Sequence, residues 1–396
     1  MSNEDDSAAI IARLEARVRR LEELLARRSQ DLHLLAQAAC NQDLEVLSRI
    51  GAGRPTPARS RAASALLASS TTTSPSVATG SPEPAGLPDI DADLTRVGPL
   101  LQRLLWADRR VRERVQEYGV AVVPLDFYSN TPSIAEITRS YEYISPTPPY
   151  LMDSLFDADR LSRTLESLAA YSEEFDPAID GDETNCRSFF WRNSQFSYSD
   201  AMAYYCFIRL LRPRTVIEIG SGFSTLVAIE ALRRNGVGTI TCIEPSPRPF
   251  LEQSGDITLK RVEAQDVDAA FFNQTLEDGD VLFIDSTHTV KTGSDCLHIY
   301  LRLLPQIKRR MYIHAHDIFL PFGLPIEWLL DRQIFWTEQY LLLALIMDNP
   351  KAKVLYGSAY HHYANRPQLE SLMGKKYPAG GGSFWFEYDG RVQPVP

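Results

Sequence analysis

The first fifty residues carry a heptad pattern of hydrophobic positions. Apolar side chains recur at alternating spacings, at Ile11, Leu14, Val18, Leu21, Leu25, Leu32 and Leu35. Arg28 interrupts one of the two seams, as a single polar residue that fixes register often does. The pattern predicts a coiled coil over residues 1–50 and a homo-oligomer, trimer or dimer, through residues 8–40. The alternative is a surface helix that packs on the rest of the chain.

The next segment, residues 51–88, has few large hydrophobic residues. It consists mainly of Ala, Ser, Thr, Pro and Gly and contains an uninterrupted Ser/Thr tract at 69–74. Such a composition cannot bury enough apolar surface to fold. The segment is therefore predicted to be a disordered linker between the coiled coil and the remainder of the chain.

Residues 89–200 combine helical and irregular patterns. Helical periodicity over 94–118 is followed by a short apolar run, Val120 to Val123, that predicts a strand, and then by Pro-rich sequence to Pro149. We expect this region to form a lid over the substrate.

Residues 201–396 alternate between predicted strands and helices. Strands are predicted at 214–219, 239–244, 257–263, 280–285, 310–316, 352–356 and 383–388, and the longest helix at 326–347. Strands that alternate with helices indicate a parallel sheet covered on both faces. The predicted fold class is α/β, a Rossmann-like doubly wound sheet of about seven strands preceded by the N-terminal coiled coil.

Composition restricts the environment and the partners of the chain. The formal net charge of −10 argues against a dedicated nucleic-acid binder. The five cysteines form no CxxC pair, so reduced thiols and a cytoplasmic location are favoured. No apolar run is long enough for a transmembrane segment, and the N-terminus lacks a signal-peptide core.

The glycine-containing sequence after the first predicted strand points to a ligand. Gly220 and Gly222 stand between that strand and a helix, an arrangement that forms a nucleotide-binding crevice. Glu218 would repel a pyrophosphate but attract the cationic amino group and sulfonium of S-adenosylmethionine (SAM). Thr225 occupies the place of the third glycine in the dinucleotide fingerprint. SAM is therefore predicted rather than NAD, with Glu218, Gly220, Ser221 and Gly222 around its methionine part.

Two further acids are candidate contacts of the donor. Glu244 ends the second strand, where a carboxylate can accept hydrogen bonds from both ribose hydroxyls. Asp266 follows the third strand, where this fold usually places an adenine contact. An aspartate of a solvated loop is an equal alternative for Asp266.

Acids and histidines cluster at the ends of the fourth and fifth strands. Asp285 ends one strand and is followed by His288, and His314, His316 and Asp317 end the next. A hydroxyl acceptor must lose its proton, and a divalent cation that coordinates it lowers its pKa. Asp285 and Asp317 are the predicted ligands of Mg²⁺ or Mn²⁺, and His316 is a further candidate ligand.

The same strand ends supply a candidate base. His288 would accept the proton of the acceptor. Lys291, three residues later, would orient Asp285 or the acceptor. The alternatives are a packing or capping histidine and a solvated lysine. Stacking on a sugar ring is predicted for four aromatic residues, Phe127, Tyr128, Tyr204 and Tyr205.

These motifs together resemble a known family. Glu218-x-Gly220-Ser-Gly222 and the strand end at Glu244 are similar to those of class I SAM-dependent methyltransferases. The Asp285-x-x-His288 step followed by Asp317 resembles the metal-dependent sugar O-methyltransferases of macrolide and polysaccharide biosynthesis. The resemblance covers residues 118–396 and implies metal binding by the aspartates, a histidine base and the seven-strand order of that class.

One departure from the family pattern weakens the metal prediction. His316 stands where those enzymes usually have a second acid, so a metal-free mechanism with His288 as base stays open. The predicted function is transfer of a methyl group from SAM to a hydroxyl, of a sugar in a glycan or glycoconjugate. The alternatives are a small-molecule O-methyltransferase for natural products or phenols, and a non-catalytic scaffold organised by the coiled coil.

Overall fold

The computed structural model describes residues 90–375 and 377–392, and these form two compact units, 90–139 and 140–392. The predicted coiled coil at 1–50 and the linker at 51–88 lie outside the described residues. The smaller unit contains helices α1 (Ile90–Leu105), α2 (Arg109–Gln116) and α3 (Ile134–Arg139). The helix predicted over 94–118 is thus divided, because the Asp108 side chain caps α2 by accepting from Val111 N at 3.0 Å.

The strand predicted at Val120–Val123 is wrong. These residues adopt no regular structure, and the side chains of Val120 and Val123 are exposed. A short apolar run becomes a strand only where a neighbouring strand supplies its backbone partners. Among the described residues, the seven strands of the sheet pair only with one another, and residues 120–123 have no strand partner.

The larger unit is built on a seven-stranded sheet in the order β3-β2-β1-β4-β5-β7-β6. The strands are β1 (Thr215–Ile219), β2 (Thr239–Ile243), β3 (Ile257–Lys260), β4 (Val281–Ile284), β5 (Arg310–Ala315), β6 (Ala352–Gly357) and β7 (Phe384–Asp389). Every predicted strand of the 201–396 region is present, and β7 alone runs antiparallel to its neighbours. The prediction of a doubly wound, Rossmann-like class I methyltransferase sheet is confirmed.

Helices cover both faces of this sheet. They are α4 (Ala158–Ser172), α5 (Tyr198–Leu211), α6 (Phe223–Asn235), α7 (Pro249–Glu252), α8 (Ala269–Thr275), α9 (Asp295–His298), α10 (Ile326–Leu330), α11 (Glu338–Ile346), α12 (Ser358–Ala364) and α13 (Arg366–Leu372). Short 3₁₀ turns occupy Ala264–Asp266 and Leu304–Gln306, and a π-helical turn occupies Ile299–Leu303.

Two hydrophobic cores lie on opposite faces of the central strands. Val281 and Phe283 of β4 join one core, and Leu282 and Ile284 join the other. Side chains alternate across a strand, and a parallel strand buried on both faces is therefore apolar throughout. The two cores fix the strands so that the residues after them meet at one edge of the sheet.

The single helix predicted at 326–347 is also wrong. Residues 331–337, between α10 and α11, are not helical, and Gln333 has a left-handed backbone with φ 56°. The N–H groups of Thr337 and Glu338 donate to the carbonyl of His288 at 2.9 and 3.1 Å instead of to a preceding turn. The hydrophobic pattern continues through this break, but the backbone N–H groups at its end bind the loop that contains His288 and do not continue the helix.

Cys186, Cys206, Cys242 and Cys296 are buried and unpaired. In the part of the chain that the structure describes, no helix combines the length and the apolar character that crossing a lipid bilayer requires.

Candidate active site

The candidate site lies at the carboxyl ends of three neighbouring parallel strands. β1, β4 and β5 are adjacent in the sheet, and their last residues lead into Gly220, Asp285 and His316. In an open α/β sheet, ligands bind beyond these strand ends. The residues predicted from the sequence to bind the donor and to act on the acceptor therefore share one edge.

The turn after β1 needs glycine at position 220. Gly220 has φ 80°, a left-handed backbone, and a Cβ built there would lie 1.8 Å from the carbonyl oxygen of Asp285. The turn is held by Gly220 N, which donates to Ile243 O at 3.0 Å, and by Ser221 N, which donates to the Glu244 carboxylate at 3.3 Å. Helix α6 begins directly after Gly222. The missing side chain of Gly220 therefore allows this turn to pack against the backbone at the end of β4.

Glu218 is fully buried beneath this turn. Its two carboxylate oxygens accept hydrogen bonds from Tyr204 Oη, at 2.9 Å, and from Thr225 Oγ1. Burial raises the pKa of Glu218 to about 7, although these two hydrogen bonds oppose the change. The contact with the methionine amino group stays a prediction, because both oxygens of this carboxylate accept hydrogen bonds from side chains of the protein.

The other predicted donor residues lie at or near the same edge. Glu244 is half-buried, and its second carboxylate oxygen accepts from Ser246 N at 2.7 Å. Asp266 is exposed at the end of the 3₁₀ turn after β3. Lys291 is exposed as well, and among the described residues no ion pair joins it to Asp285.

Asp285, His288 and Asp317 converge. The Nε2 atom of His288 lies 3.1 Å from Asp285 Oδ1 and 3.7 Å from Asp317 Oδ2, and one potential ligand atom from each residue lies within 4.8 Å of the others. His288 is 5% exposed, so this ring is shielded from bulk water. Two carboxylates and an imidazole form a donor set that fits a divalent cation such as Mg²⁺ or Mn²⁺.

The backbone of this cluster adopts unusual conformations. His288 has φ 57° and Asp317 has φ 54°, in the left-handed region that only a small fraction of non-glycine residues adopt. Thr287 N and Oγ1 donate to the Asp295 carboxylate at 2.9 and 2.6 Å, which fixes the loop before His288. Conformations of this kind persist where surrounding contacts over-determine them, and they are frequent at functional sites.

Charges in the cluster shift the pKa values of its members. For His288, burial lowers the pKa, but the hydrogen-bonded carboxylates Asp285 and Glu338 outweigh it and raise the pKa well above its usual value. For Asp285, burial raises the pKa, and the neighbouring imidazoles of His316 and His288 more than reverse this, so the pKa is strongly lowered. Burial raises the pKa of Asp317. Mutually opposed shifts of this kind are typical of active sites.

His316 and His314 have different environments. His316 Nε2 lies 3.4 Å from Asp200 Oδ2, and its Nδ1 lies 3.4 Å from Asp285 Oδ1, the same oxygen that His288 contacts. His314 stacks on Trp385, with ring centroids 4.5 Å apart, and its Nε2 lies 2.7 Å from Ser383 Oγ. Burial holds the pKa of His314 well below its usual value. His314 is thus a neutral core residue.

Three residues of the site were not among the residues predicted from the sequence. Glu338 Oε2 lies 2.7 Å from His288 Nδ1, the Trp336 ring centroid lies 4.3 Å from that of His288, and Asp200 contacts His316. The signal that could have identified Glu338 is the presence of a charged residue at the start of the apolar stretch 338–347. Trp336 lies in the non-helical segment between α10 and α11.

The aromatic residues predicted to stack on a sugar divide into two groups. Tyr204 and Tyr205 are completely buried in the core, and that prediction is wrong for them, because a fully enclosed ring has no face left for a ligand. Phe127 and Tyr128 are more than four-fifths exposed. For those two, stacking stays a prediction.

Comparison with known proteins identifies the family of the chain. Residues 217–318, a range that includes Glu218 and Asp317, match the family described as "Methyltransferase domain". A protein of Archaeoglobus fulgidus described as uncharacterized is 33% identical over 173 residues, which cover 41% of this chain and 77% of the relative. The sheet order, the glycine turn and the match to the methyltransferase domain define a class I methyltransferase core. The chain belongs to one family with the archaeal protein and is a SAM-dependent methyltransferase.

Solved structures similar to the chain include two O-methyltransferases. The enzyme from Bacillus cereus in complex with SAH is 14% identical and aligns over 60% of this chain and 96% of its own, with a TM-score of 0.31. TomG from Streptomyces achromogenes, involved in tomaymycin synthesis and solved with SAM, is 13% identical over 57% of this chain and 89% of its own, with a TM-score of 0.32. Similarity at this level carries no inference about the acceptor.

Proposed function

We propose that this methyltransferase acts on a hydroxyl group of a sugar, in a glycan or glycoconjugate, with His288 as general base. The observation that carries the proposal is the position of His288 Nε2, which faces Asp285 and Asp317 at the edge where the donor turn also lies. An imidazole nitrogen aimed at a ligand-binding edge is placed to accept a proton from a hydroxyl bound there.

The reaction follows from this placement. The acceptor oxygen gives its proton to Nε2 of His288 and forms a bond to the methyl carbon of SAM. The bond between that carbon and sulfur breaks, and its electron pair stays on sulfur, which yields S-adenosylhomocysteine and a methyl ether. Asp285 and Asp317 stabilise the imidazolium formed on His288 through their negative charge.

Asp285 and Asp317 would also hold a divalent cation, Mg²⁺ or Mn²⁺. His316 would be a further ligand through Nδ1, because Asp200 lies beside its other nitrogen and fixes the ring. A bound cation lowers the pKa of a coordinated hydroxyl, which matters for a sugar because an aliphatic alcohol is a far weaker acid than a phenol.

For the donor, we propose Gly220, Ser221 and Gly222 beneath the methionine part, with Glu218 toward its amino group. Glu244 would accept from the ribose hydroxyls, and its half-buried carboxylate already lies against the turn. Asp266 is the proposed contact for adenine. Calorimetric titration of SAM, with NAD as control, against wild type, Glu218→Ala and Glu244→Ala tests this assignment. Unchanged SAM affinity in Glu244→Ala would contradict the ribose contact.

The acceptor class is tested by product mass. Wild type is incubated with SAM and a panel of sugars, oligosaccharides and phenols, after chelation and with Mg²⁺ or Mn²⁺ added back. We expect methylated sugars, a requirement for cation, and no product from His288→Asn. Methylation of phenols alone would favour the small-molecule alternative, and absence of any product from SAM-binding enzyme would favour a scaffold.

We further propose a cytoplasmic homo-oligomer, trimer or dimer, joined through residues 8–40, with 51–88 as spacer. The support is the heptad pattern together with the unpaired buried cysteines. A chain lacking residues 1–88 is expected to lose the oligomer, measured by light scattering, and to keep turnover on a short acceptor. Loss of that turnover would contradict a role limited to spacing.

A further inference from the structure

A buried carboxylate stands behind the candidate base. Glu338, the first residue of α11, is 1% exposed, and no Lys or Arg among the described residues pairs with it. Its two oxygens instead lie 2.7 Å from His288 Nδ1 and 2.5 Å from Tyr300 Oη. A buried carboxylate without such partners is costly, so its position depends on these two contacts.

The same segment fixes the backbone of His288. Thr337 N and Glu338 N both donate to the His288 carbonyl, and Thr337 Oγ1 accepts from Val290 N at 2.8 Å. These contacts hold His288 in its left-handed conformation, which an unsupported non-glycine residue rarely keeps. The ring and the main chain of His288 are thus anchored from one short stretch of chain.

The contact with Glu338 fixes the orientation of the His288 ring. An ionised carboxylate can only accept a hydrogen bond, so Nδ1 of His288 donates to Glu338. With Nδ1 held in this way, Nε2 lies toward Asp285 and Asp317. Tyr300 donates to the other carboxylate oxygen and keeps Glu338 in this orientation.

We propose that Glu338 is a positioning residue that prepares His288 for proton abstraction, with Tyr300 as its support. The inference rests on the proposed function, because it assigns the base of that reaction. Glu338 holds the ring so that Nε2 lies at the edge where the acceptor is proposed to bind. An isosteric amide presents both a donor and an acceptor, so it does not hold the ring in this single orientation.

The kinetic test compares three variants of the full-length enzyme. In Glu338→Gln, kcat is expected to fall by about 10²–10⁴-fold, the range for loss of general base catalysis, with the KM values for SAM and acceptor unchanged. Glu338→Asp keeps a carboxylate and is expected to lie between this variant and wild type. Glu174→Gln, which removes a partly buried ion pair with Arg209 away from the site, serves as the control for lost stability. It is expected to lower Tm and leave kcat unchanged.

A spectroscopic test does not depend on turnover. In protein labelled with ¹⁵N in the histidine rings, we expect one far-downfield proton on Nδ1, which disappears in both Glu338→Gln and His288→Asn. Wild type that shows this proton but methylates nothing would contradict the proposed function and keep the positioning role. Unchanged kcat in Glu338→Gln, or no proton that depends on Glu338, would overturn the inference.

Discussion

The close approach of the turn after β1 to the end of β4 predicts a large difference between two glycine substitutions. Gly220 and Gly236 both have left-handed backbones, with φ 80° and 65°. A Cβ at Gly220 would lie 1.8 Å from Asp285 O and 2.8 Å from Asp285 C, whereas a Cβ at Gly236 would meet nothing within 4 Å. The two sites therefore share the conformational cost of a side chain and differ in the collision.

The magnitude follows from these two terms. A left-handed backbone costs an alanine about 1–2 kcal/mol, so Gly236→Ala should lower the free energy of unfolding by that amount. Gly220→Ala carries the same cost plus about 1–3 kcal/mol for forcing an extra group into a packed site. Since the colliding atoms belong to backbone, they move only if the β1 turn or Asp285 moves with them.

The assay is equilibrium unfolding in urea together with SAM titration for both variants. We expect Gly220→Ala to be less stable than Gly236→Ala by about 1–3 kcal/mol and to bind SAM more weakly, while Gly236→Ala binds SAM as wild type does. Equal stability of the two variants would refute the described contact between the turn and Asp285.

Further predictions concern pH, metal and packing. Glu218 binds its proton more tightly in the folded chain, where its pKa is about 7, than at its ordinary value of 4.5. The free energy of unfolding should therefore fall by about 3 kcal/mol as pH rises from 4.5 through 7. Glu218→Gln should remove this fall, as measured by urea unfolding at pH 5 and 8. An equal fall in the variant would contradict the role of Glu218. Chelation should abolish turnover, measured by product mass. Added Mg²⁺ or Mn²⁺ should restore turnover in wild type but not in Asp317→Asn. Full turnover in the presence of chelator would refute metal use. Tyr204→Phe should destabilise the fold by about 1–3 kcal/mol at pH 8, because one oxygen of a buried carboxylate loses its donor; a neutral effect in urea unfolding would argue against the described bond.

The sequence predicted the sheet far better than the segments that surround the acceptor side of the site. All seven strands were predicted because apolar runs bounded by glycine, proline or acids give a strong local signal. The residues at the strand ends, Asp285, His288 and Asp317, were predicted to meet because parallel strands end at a common edge. Their pairwise geometry depends on register and could not be predicted.

The errors arose where tertiary contacts override local pattern. The stretch 326–347 was predicted as one long helix, but the carbonyl of His288 accepts the N–H groups that would continue it. Glu338 lies fifty residues after His288 along the chain, and periodicity contains no information about such a pair. Tyr204 was predicted to stack on a sugar ring, but an aromatic residue near a site can either stack on a ligand or fill a core, and only the fold distinguishes the two.

The antiparallel strand β7 has a consequence for synthesis of the enzyme. It follows β6 in the chain yet lies between β5 and β6, and the loop before it supplies Gly382 N and Ser383 N to the Asp200 carboxylate that contacts His316. While a ribosome is still translating residues before β7, the outer edge of β5 has no partner and β6 has no place in the sheet. Unpaired strand edges associate readily with other chains. Emergence of β7 is therefore the event that closes this edge and brings in the loop that binds Asp200, the residue in contact with His316.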